Sequence, residues 1–192
     1  MRRRDVLAGL GSVGVVAGAG VMAVRGPPSL DGNTGTGESQ PGDSDETEST
    51  NTEPLTIETI DAPGSEADEF RVPAADRATF IDFFGTWCPP CVEQMPALAE
   101  ANERIGDEVL FMSVTSESIP NEELADWWEK HDGSWLLGLD PTAELTARYL
   151  AGGYPSAVAI DASGTVQWSD SGIKTADELV AGIEQALAAG GQ

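Results

Sequence analysis

The stretch Trp87-Cys88-Pro89-Pro90-Cys91 decides the fold, because it places the two cysteines of the chain three residues apart at the boundary between two patterns. An apolar run typical of a buried strand precedes it, and apolar residues at helical spacing follow it. Two thiols three apart on the first turn of a helix share one face, close enough to bond. The partial positive charge at the helix start favours the thiolate, which is the species that attacks disulfides. The motif therefore predicts reversible dithiol–disulfide chemistry.

Other uses of the two cysteines fit the sequence less well. A structural zinc site needs four Cys or His ligands, and the chain adds one histidine, His131, to Cys88 and Cys91. Covalent haem attachment requires His directly after the second cysteine, where Val92 stands. We therefore expect neither a bound metal nor a cofactor. A metallochaperone holding Cu(I) between the two thiolates stays open as an alternative, although a third ligand is not evident.

The first residues have the character of an export signal. Arg3 and Arg4, followed by one variable and two apolar residues, match the twin-arginine pattern. The Gly- and Ala-rich segment Val6–Val24 is also long enough, at ~1.5 Å per residue, to cross a hydrocarbon core of ~30 Å. We therefore interpret residues 1–25 as a signal that is cleaved or as a membrane anchor that is retained, with the rest of the chain outside the cytoplasm. Residues 26–54, rich in Gly, Ser, Thr, Pro and acidic residues, are predicted to be a disordered linker.

The chain is strongly acidic, with 33 Asp and Glu against 10 Lys and Arg and a net charge of −23. Nucleic-acid binding requires the opposite sign, so we exclude it. An acidic coat maintains hydration in concentrated salt, where a Debye length of ~3 Å screens the mutual repulsion. Such a coat resembles that of halophilic archaeal proteins, and we expect a halophilic source.

Residues 55–192 are predicted to form one α/β domain with a mixed central sheet and helices on both faces. Alternating strand and helix patterns lead up to a closing hairpin and helix. The predicted strands are 55–60, 69–72, 79–84, 109–115, 135–139, 157–160 and 165–168, and the predicted helices are 92–106, 121–130 with Asn121 as its cap, 141–150 and 175–189.

This order of elements resembles the thioredoxin fold over essentially all of residues 55–192. Pro96, five residues after Cys91, matches the proline that bends the active-site helix of the family. Tyr154-Pro155 precedes a strand, where the family has a cis-proline that faces the dithiol. The long segment between the dithiol unit and Pro155 resembles the branch that contains exported, membrane-tethered reductases of the TlpA/ResA type. Gly164 fits the hairpin turn of the family.

The position of each cysteine suggests its role. Cys88 is expected to be the attacking thiol, because unpaired N–H groups at the helix start stabilise a thiolate there. Cys91, one turn further, is expected to be more buried and to act as the resolving thiol. Pro89 and Pro90 are tolerated in a first turn, whose N–H groups have no intrahelical partner, and they stiffen the loop.

Asp82 lies on an otherwise apolar strand six residues before Cys88. If its side chain is buried, desolvation raises its pKa. By resemblance to thioredoxins it would assist proton transfer at the resolving cysteine; the alternative is a solvated carboxylate on the outer side of the strand. The resemblance further implies that Trp87, Tyr154 and cis-Pro155 form the substrate-binding surface beside the dithiol.

The resemblance implies an exported, monomeric thiol–disulfide oxidoreductase. Its partners would be apocytochrome c or other exported proteins with cysteines, and a membrane thiol electron donor would reduce the oxidised form. The direction of electron flow cannot be read from the motif, since proteins with this spacing span roughly −270 to −120 mV. An oxidant or isomerase for secreted proteins is therefore an alternative, and the cysteine spacing disfavours a peroxidase of the related peroxiredoxin type.

Overall fold

The computed structural model describes residues 53–149 and 153–191. This part of the chain forms a seven-stranded sheet with four α-helices and one short 3-10 turn after the first helix. The elements in chain order are β1 (Leu55–Thr59), β2 (Glu69–Val72), β3 (Thr79–Phe83), α1 (Pro89–Ile105), β4 (Leu110–Thr115), α2 (Asn121–Lys130), β5 (Leu136–Leu139), α3 (Glu144–Tyr149), β6 (Ser156–Ile160), β7 (Val166–Ser171) and α4 (Ala176–Gly190).

The strand order across the sheet is β2-β1-β5-β4-β3-β6-β7. The three central strands β3, β4 and β5 are parallel, and the flanking pairs on both sides are antiparallel. Parallel neighbours need a crossover, which α1 supplies between β3 and β4 and α2 supplies between β4 and β5. The predicted mixed sheet is confirmed, and its central strand β3 ends beside the cysteine motif.

Side-chain alternation along β3 divides the core into two layers. Phe80 and Phe84 point into the layer formed with α1, α2 and α4, whereas Ile81 and Phe83 point into the opposite layer with α3. All five residues of β3 are buried, as expected for a central strand covered on both faces. Asp82 alternates with Ile81 and Phe83, so it lies on the same face of the sheet as α1 and the cysteines.

Helix starts differ from the sequence predictions: α1 begins at Pro89 rather than at 92 and α4 at Ala176 rather than at 175, and the cap of α2 and the start of α3 differ too. Asn121 was expected to cap α2, but Pro120 is the N-cap, because its carbonyl accepts the first helical hydrogen bond from Leu124. α3 begins at Glu144 rather than at Pro141. A turn that includes Ala143 at φ 55° precedes it, and the Asp140 carboxylate accepts hydrogen bonds from backbone N–H groups of the first turn.

The predicted signal segment 1–25 and nearly all of the predicted linker 26–54 lie outside the described residues. In the described part of the chain, no helix has the length and apolar character needed to span a bilayer.

Candidate active site

The loop after β3 delivers the cysteine motif to the start of α1. Cys88 is the N-cap of this helix, with φ −96° and ψ 102°, and its Sγ accepts a hydrogen bond of 3.2 Å from the backbone N–H of Cys91. The two sulfurs form a disulfide, with the Cα atoms 5.3 Å apart. When the bond is reduced, the Cys88 sulfur faces the unpaired N–H groups and the positive end of α1, which favours its thiolate form.

The three prolines of the motif region occupy different parts of α1. Pro89 and Pro90 are the first two helical residues, where a missing N–H breaks no intrahelical bond, and both are exposed. Pro96 lies inside the helix and removes one hydrogen bond there. The helix continues through it to Ile105 because its buried face, which includes Met95, Leu98 and Ala101, packs against the sheet and α4.

The two cysteines are almost equally buried in this disulfide form. Cys88 is 3 % exposed and Cys91 is 2 % exposed, so burial does not distinguish the attacking thiol from the resolving thiol. The sequence prediction that Cys91 is the more buried of the two is therefore not met in this disulfide form, and the two residues differ in their position in the helix. Cys88 stands at the cap, next to the exposed Trp87, whereas Cys91 is held inside the first turn.

Asp82 is buried, at 2 % exposure, and is not on a solvated side of its strand. Its Oδ2 accepts a hydrogen bond of 3.0 Å from the hydroxyl of Ser113, its register partner on the parallel strand β4. Burial raises the pKa of Asp82 to about 7, although the hydrogen bond from Ser113 lowers it. The carboxyl can therefore take up or release a proton near neutral pH.

Ser113 is itself the acceptor of a second buried hydrogen bond. The indole Nε1–H of Trp135 donates to Ser113 Oγ over 2.9 Å. Trp135, Ser113 and Asp82 thus form a line of donors and acceptors inside the layer between the sheet and the helices. We call this line the buried relay.

The segment before β6 forms the second wall of the site. The Tyr154–Pro155 bond is cis, as the resemblance implied, and Pro155 is buried. The Pro155 carbonyl accepts a hydrogen bond of 2.8 Å from the N–H of Gly172, and the Ser156 hydroxyl is 2.8 Å from that of Ser171. These bonds fix the segment to the end of β7. The ring of Tyr154 lies 5.9 Å from that of Trp87, so the two walls meet at this aromatic pair.

The Redoxin family profile matches residues 60–187, which is more than half of the chain and includes both cysteines. The chain belongs to the Redoxin family. This Redoxin-family chain is also similar to the thiol-disulfide oxidoreductase ResA of Geobacillus kaustophilus, with 26% identity over 111 residues. That match covers 56% of this chain and 62% of that relative, less than two thirds of its length.

Solved structures support the fold of this Redoxin-family domain. StoA from Bacillus subtilis superposes with a TM-score of 0.57 at 22% identity, covering 67% of this chain and 95% of that one. The exposed lipoprotein thioredoxin of Streptococcus pneumoniae superposes with a TM-score of 0.58 at 18% identity, covering 69% and 98% of the two chains. At these identities the likeness establishes a thioredoxin-like fold, which confirms the fold predicted from the sequence.

Several residues that position the Redoxin-family site were missed by the sequence analysis. Thr86, two residues before Cys88, donates from its backbone N–H and its hydroxyl to the carboxylate of Glu117, over 2.5 and 2.9 Å. Glu117 follows β4 and is held in place by Thr115, whose hydroxyl is 3.3 Å from Oε2. This pair fastens the loop of the cysteine motif to the end of the neighbouring strand. We call it the loop clamp.

A second missed contact joins α1 to the loop between β7 and α4. The buried side chain of Gln94, one turn after Cys91, donates to the Lys174 carbonyl over 3.0 Å and accepts from the Lys174 N–H over 2.6 Å. Ile173, next to it, is 45 % exposed, and Trp87 is 68 % exposed. Both are large apolar side chains exposed to solvent, and of the two Trp87 adjoins Tyr154.

His131 is not part of the dithiol site. It is the C-cap residue of α2, and its ring packs against Trp127 with centroids 4.5 Å apart. Within residues 53–149 and 153–191, no group of three or more Cys, His, Asp or Glu side chains is arranged to hold a metal ion.

Proposed function

We propose that this protein is a thiol–disulfide oxidoreductase that uses the Cys88–Cys91 pair to reduce disulfides of exported proteins. The observation that carries the proposal is the position of Cys88 as the N-cap of α1, with Cys91 N–H directed at its sulfur over 3.2 Å. That position supplies the stabilised thiolate that the reaction requires. The relatives named thiol-disulfide oxidoreductases support it.

In the proposed reaction, the Cys88 thiolate attacks one sulfur of a substrate disulfide, and the other substrate sulfur leaves as a thiolate. A mixed disulfide now joins Cys88 to the substrate. Cys91 then loses its thiol proton to Asp82 and attacks Cys88 Sγ, which forms the intramolecular disulfide and releases the second substrate thiolate. Two electrons pass from the dithiol to the substrate, and solvent supplies the protons that the substrate thiolates take up.

The aromatic rim fits a protein substrate. Trp87, which directly precedes Cys88, and Tyr154 present apolar area, and the backbone beside Pro155 is fixed to the end of β7. An extended, cysteine-containing peptide would bind there. We propose apocytochrome c or other exported cysteine proteins as substrates, a membrane thiol protein as the electron donor, and a monomer as the working unit.

Location and domain organisation belong to the same proposal. Residues 1–25 would direct twin-arginine export or anchor the chain, residues 26–54 would act as a tether, and residues 55–192 would work outside the cytoplasm, in a halophilic source. Replacement of Arg3 and Arg4 by lysine should block export in the native host. Unchanged export of that variant would contradict the twin-arginine route.

The two cysteines allow a matched test, since each single variant leaves one thiol. Cys88→Ser should abolish the protein's catalysis of the reduction of a model disulfide protein by dithiothreitol. Cys91→Ser should accumulate a mixed disulfide that non-reducing electrophoresis detects, because the attacking thiol remains but nothing resolves it. Substantial turnover by Cys88→Ser would overturn the proposed activity, and a trapped adduct in Cys88→Ser instead would invert the two roles.

The reduction potential decides the direction of electron flow. A value near that of thioredoxin, roughly −270 mV, supports a reductase, whereas a value near −120 mV identifies an oxidant of secreted proteins. Equilibration of the domain with glutathione or dithiothreitol buffers, followed by alkylation of free thiols, measures it.

A further inference from the structure

The buried relay has a fixed direction, which follows from the chemistry of its members. An indole N–H is a donor only, so the bond from Trp135 Nε1 to Ser113 Oγ uses an oxygen lone pair of the serine. Ser113 has one hydroxyl hydrogen, and Asp82 Oδ2 lies 3.0 Å away to accept it. Ser113 is fully buried, at 0 % exposure, so water does not compete for that hydrogen. The relay therefore delivers a hydrogen bond to the carboxyl.

We propose that Trp135 and Ser113 are positioning residues that orient the Asp82 carboxyl and favour its ionised form, so that it can accept the proton of Cys91. The inference rests on the proposed function, in which Asp82 serves the resolving thiol, and adds to it the residues that prepare that group. A hydrogen bond donated to a carboxylate stabilises the charged form, whereas burial opposes it. The relay would therefore limit the rise in the pKa of Asp82, so that the carboxyl ionises near neutral pH.

Few other ionisable groups lie where they could shift the pKa of Asp82. The neighbouring strands β4 and β6 have no ionisable side chain, and every charged side chain on α1, α2 and α4 is exposed. The ionisable groups near this layer are Cys88 and Cys91 from α1, the half-buried Tyr154 before β6, and the half-buried His131 beyond Trp127 at the end of α2. The buried Asp161 directly after β6 accepts hydrogen bonds within its own hairpin turn. Glu117, in the loop after β4, is engaged by the loop clamp.

The neighbouring tryptophan supplies a matched control. Trp128 is also fully buried and packs edge-to-face against Trp135 with centroids 4.8 Å apart, but its Nε1–H donates to the Pro63 carbonyl over 3.1 Å. Trp135→Phe and Trp128→Phe therefore each remove one buried indole N–H and a similar volume from the same cluster. Only the first removes a member of the relay.

The experiment titrates the Asp82 carboxyl by NMR in the oxidised protein, where the cysteines do not ionise. Ser113→Ala should raise the pKa of Asp82 by about one pH unit, the size expected for loss of a hydrogen bond to a charged group. Trp135→Phe should raise it by less, because the serine hydroxyl remains but is no longer oriented. Trp128→Phe should leave it unchanged, and Ser113→Thr, which keeps a hydroxyl, should restore the wild-type value.

Two outcomes would overturn the relay. One is a pKa of Asp82 that stays the same or falls in Trp135→Phe. This variant tests the relay even if Ser113→Ala does not fold. The other is an equal rise in Trp135→Phe and Trp128→Phe, which would reflect repacking alone.

A second measurement separates failure of the relay from failure of the proposed function. The rate at which Cys91 resolves a preformed mixed disulfide is followed against pH, and its midpoint should move to higher pH in Ser113→Ala together with the titration of Asp82. If the pKa of Asp82 rises but the rate profile does not move, the relay orients a carboxyl that takes no part in resolution. That result would overturn both the positioning role and the proposed proton transfer, while the C88S and C91S tests of the reaction would stand.

Discussion

At the scale of single residues, Asp82 is a buried carboxyl that is unfavourable when ionised and for which we propose a role in proton transfer. Its carboxyl is buried in a strand whose other four residues are also buried, and the only cross-strand hydroxyl in register with it is that of Ser113. A buried carboxyl without a charged partner is unfavourable when ionised. The same environment gives it a pKa of about 7, the range in which a proton-transfer group is effective.

The cost predicts how stability depends on pH. The pKa of Asp82 is raised from 3.8 to about 7 on folding, so between these values the unfolded chain releases a proton that the folded protein retains. The free energy of unfolding contributed by this group therefore falls as pH rises from about 4 to 7 and then levels off. Asp82→Asn removes this dependence. The difference in the free energy of unfolding between Asp82→Asn and wild type should therefore shift in favour of the variant by up to about 4 kcal/mol between pH 4 and pH 7.

Chemical denaturation of the oxidised proteins at pH 4, 5.5 and 7 measures this effect, and only the change with pH matters, since the amide alters the absolute stability as well. Asp126→Asn, an exposed position on α2, is the control and should follow wild type at each pH. Parallel pH curves for wild type and Asp82→Asn would place an unperturbed carboxyl at position 82.

The sequence predicted the local parts of the site and missed those that depend on register. Cys88 at a helix start follows from the residues on either side of it. The apolar strand around Asp82 favoured a buried carboxyl but left a solvated one open, and the structure shows it buried. Ser113 interrupts an apolar strand in the same way as Asp82 does. This pattern could have indicated a buried polar residue, but it was not used in the sequence prediction. Its partnership with Trp135 could not be derived, because it depends on how distant segments align across the sheet.

At the scale of elements, the cysteine motif is held by contacts from outside its own helix. The loop clamp joins the residues before Cys88 to the end of β4, and Gln94 joins α1 to the loop before α4. Sequence periodicity places Gln94 beside the buried face of α1, but it does not reveal a partner 80 residues further along the chain. The same limit applies to α3, whose start is determined by the side chain of Asp140 rather than by Pro141.

Loss of the loop clamp should lower the rate of disulfide reduction more than it lowers the stability of the fold. Glu117→Ala removes the acceptor for both Thr86 bonds, so the loop before Cys88 loses its attachment. We expect a loss of about 1–2 kcal/mol of unfolding free energy, from hydrogen bonds to a charged acceptor that is only partly buried. We expect a larger effect, about tenfold, on kcat/KM for disulfide reduction, because small displacements of a reacting group are costly.

Glu103→Ala, an exposed carboxylate on α1, is the control for Glu117→Ala and should change neither quantity. A Glu117→Ala protein that loses stability but keeps full activity would show that the clamp supports the fold without positioning Cys88.

At the scale of the whole molecule, negative charge dominates. The chain carries a net charge of −23, and within its described part the ion pairs involve the cations Arg104, Arg148 and Lys174. Some carboxylates face each other directly: Glu58 on β1 is the register partner of Glu69 on β2. Like charges opposite each other in an antiparallel pair are destabilising.

Because of this pair, we expect a substitution that removes one of the two charges to stabilise the fold at low salt but not at high salt. Glu69→Gln should raise the free energy of unfolding by about 0.2–1 kcal/mol at low ionic strength, because it relieves the repulsion with Glu58. The advantage should disappear in 1 M NaCl, where the Debye length is ~3 Å. Glu103→Gln, on the exposed side of α1, provides the comparison. An equal gain for Glu69→Gln at both salt concentrations would mean that strand propensity, and not charge, is responsible.

The position of β6 in the sheet has a consequence for the time course of folding. β6 pairs antiparallel with β3, although the α1–β4–α2–β5–α3 stretch separates them in sequence. Closing so long a loop has an entropic cost that later contacts must offset, and such pairings slow folding. The start of α1 can form locally, but the Tyr154–Pro155 segment, whose tyrosine ring adjoins Trp87, takes its place only when β6 pairs with β3. The helix start that carries the cysteines should therefore form before the rest of the site, and the proposed thiol–disulfide exchange activity should return during refolding later than the helical signal.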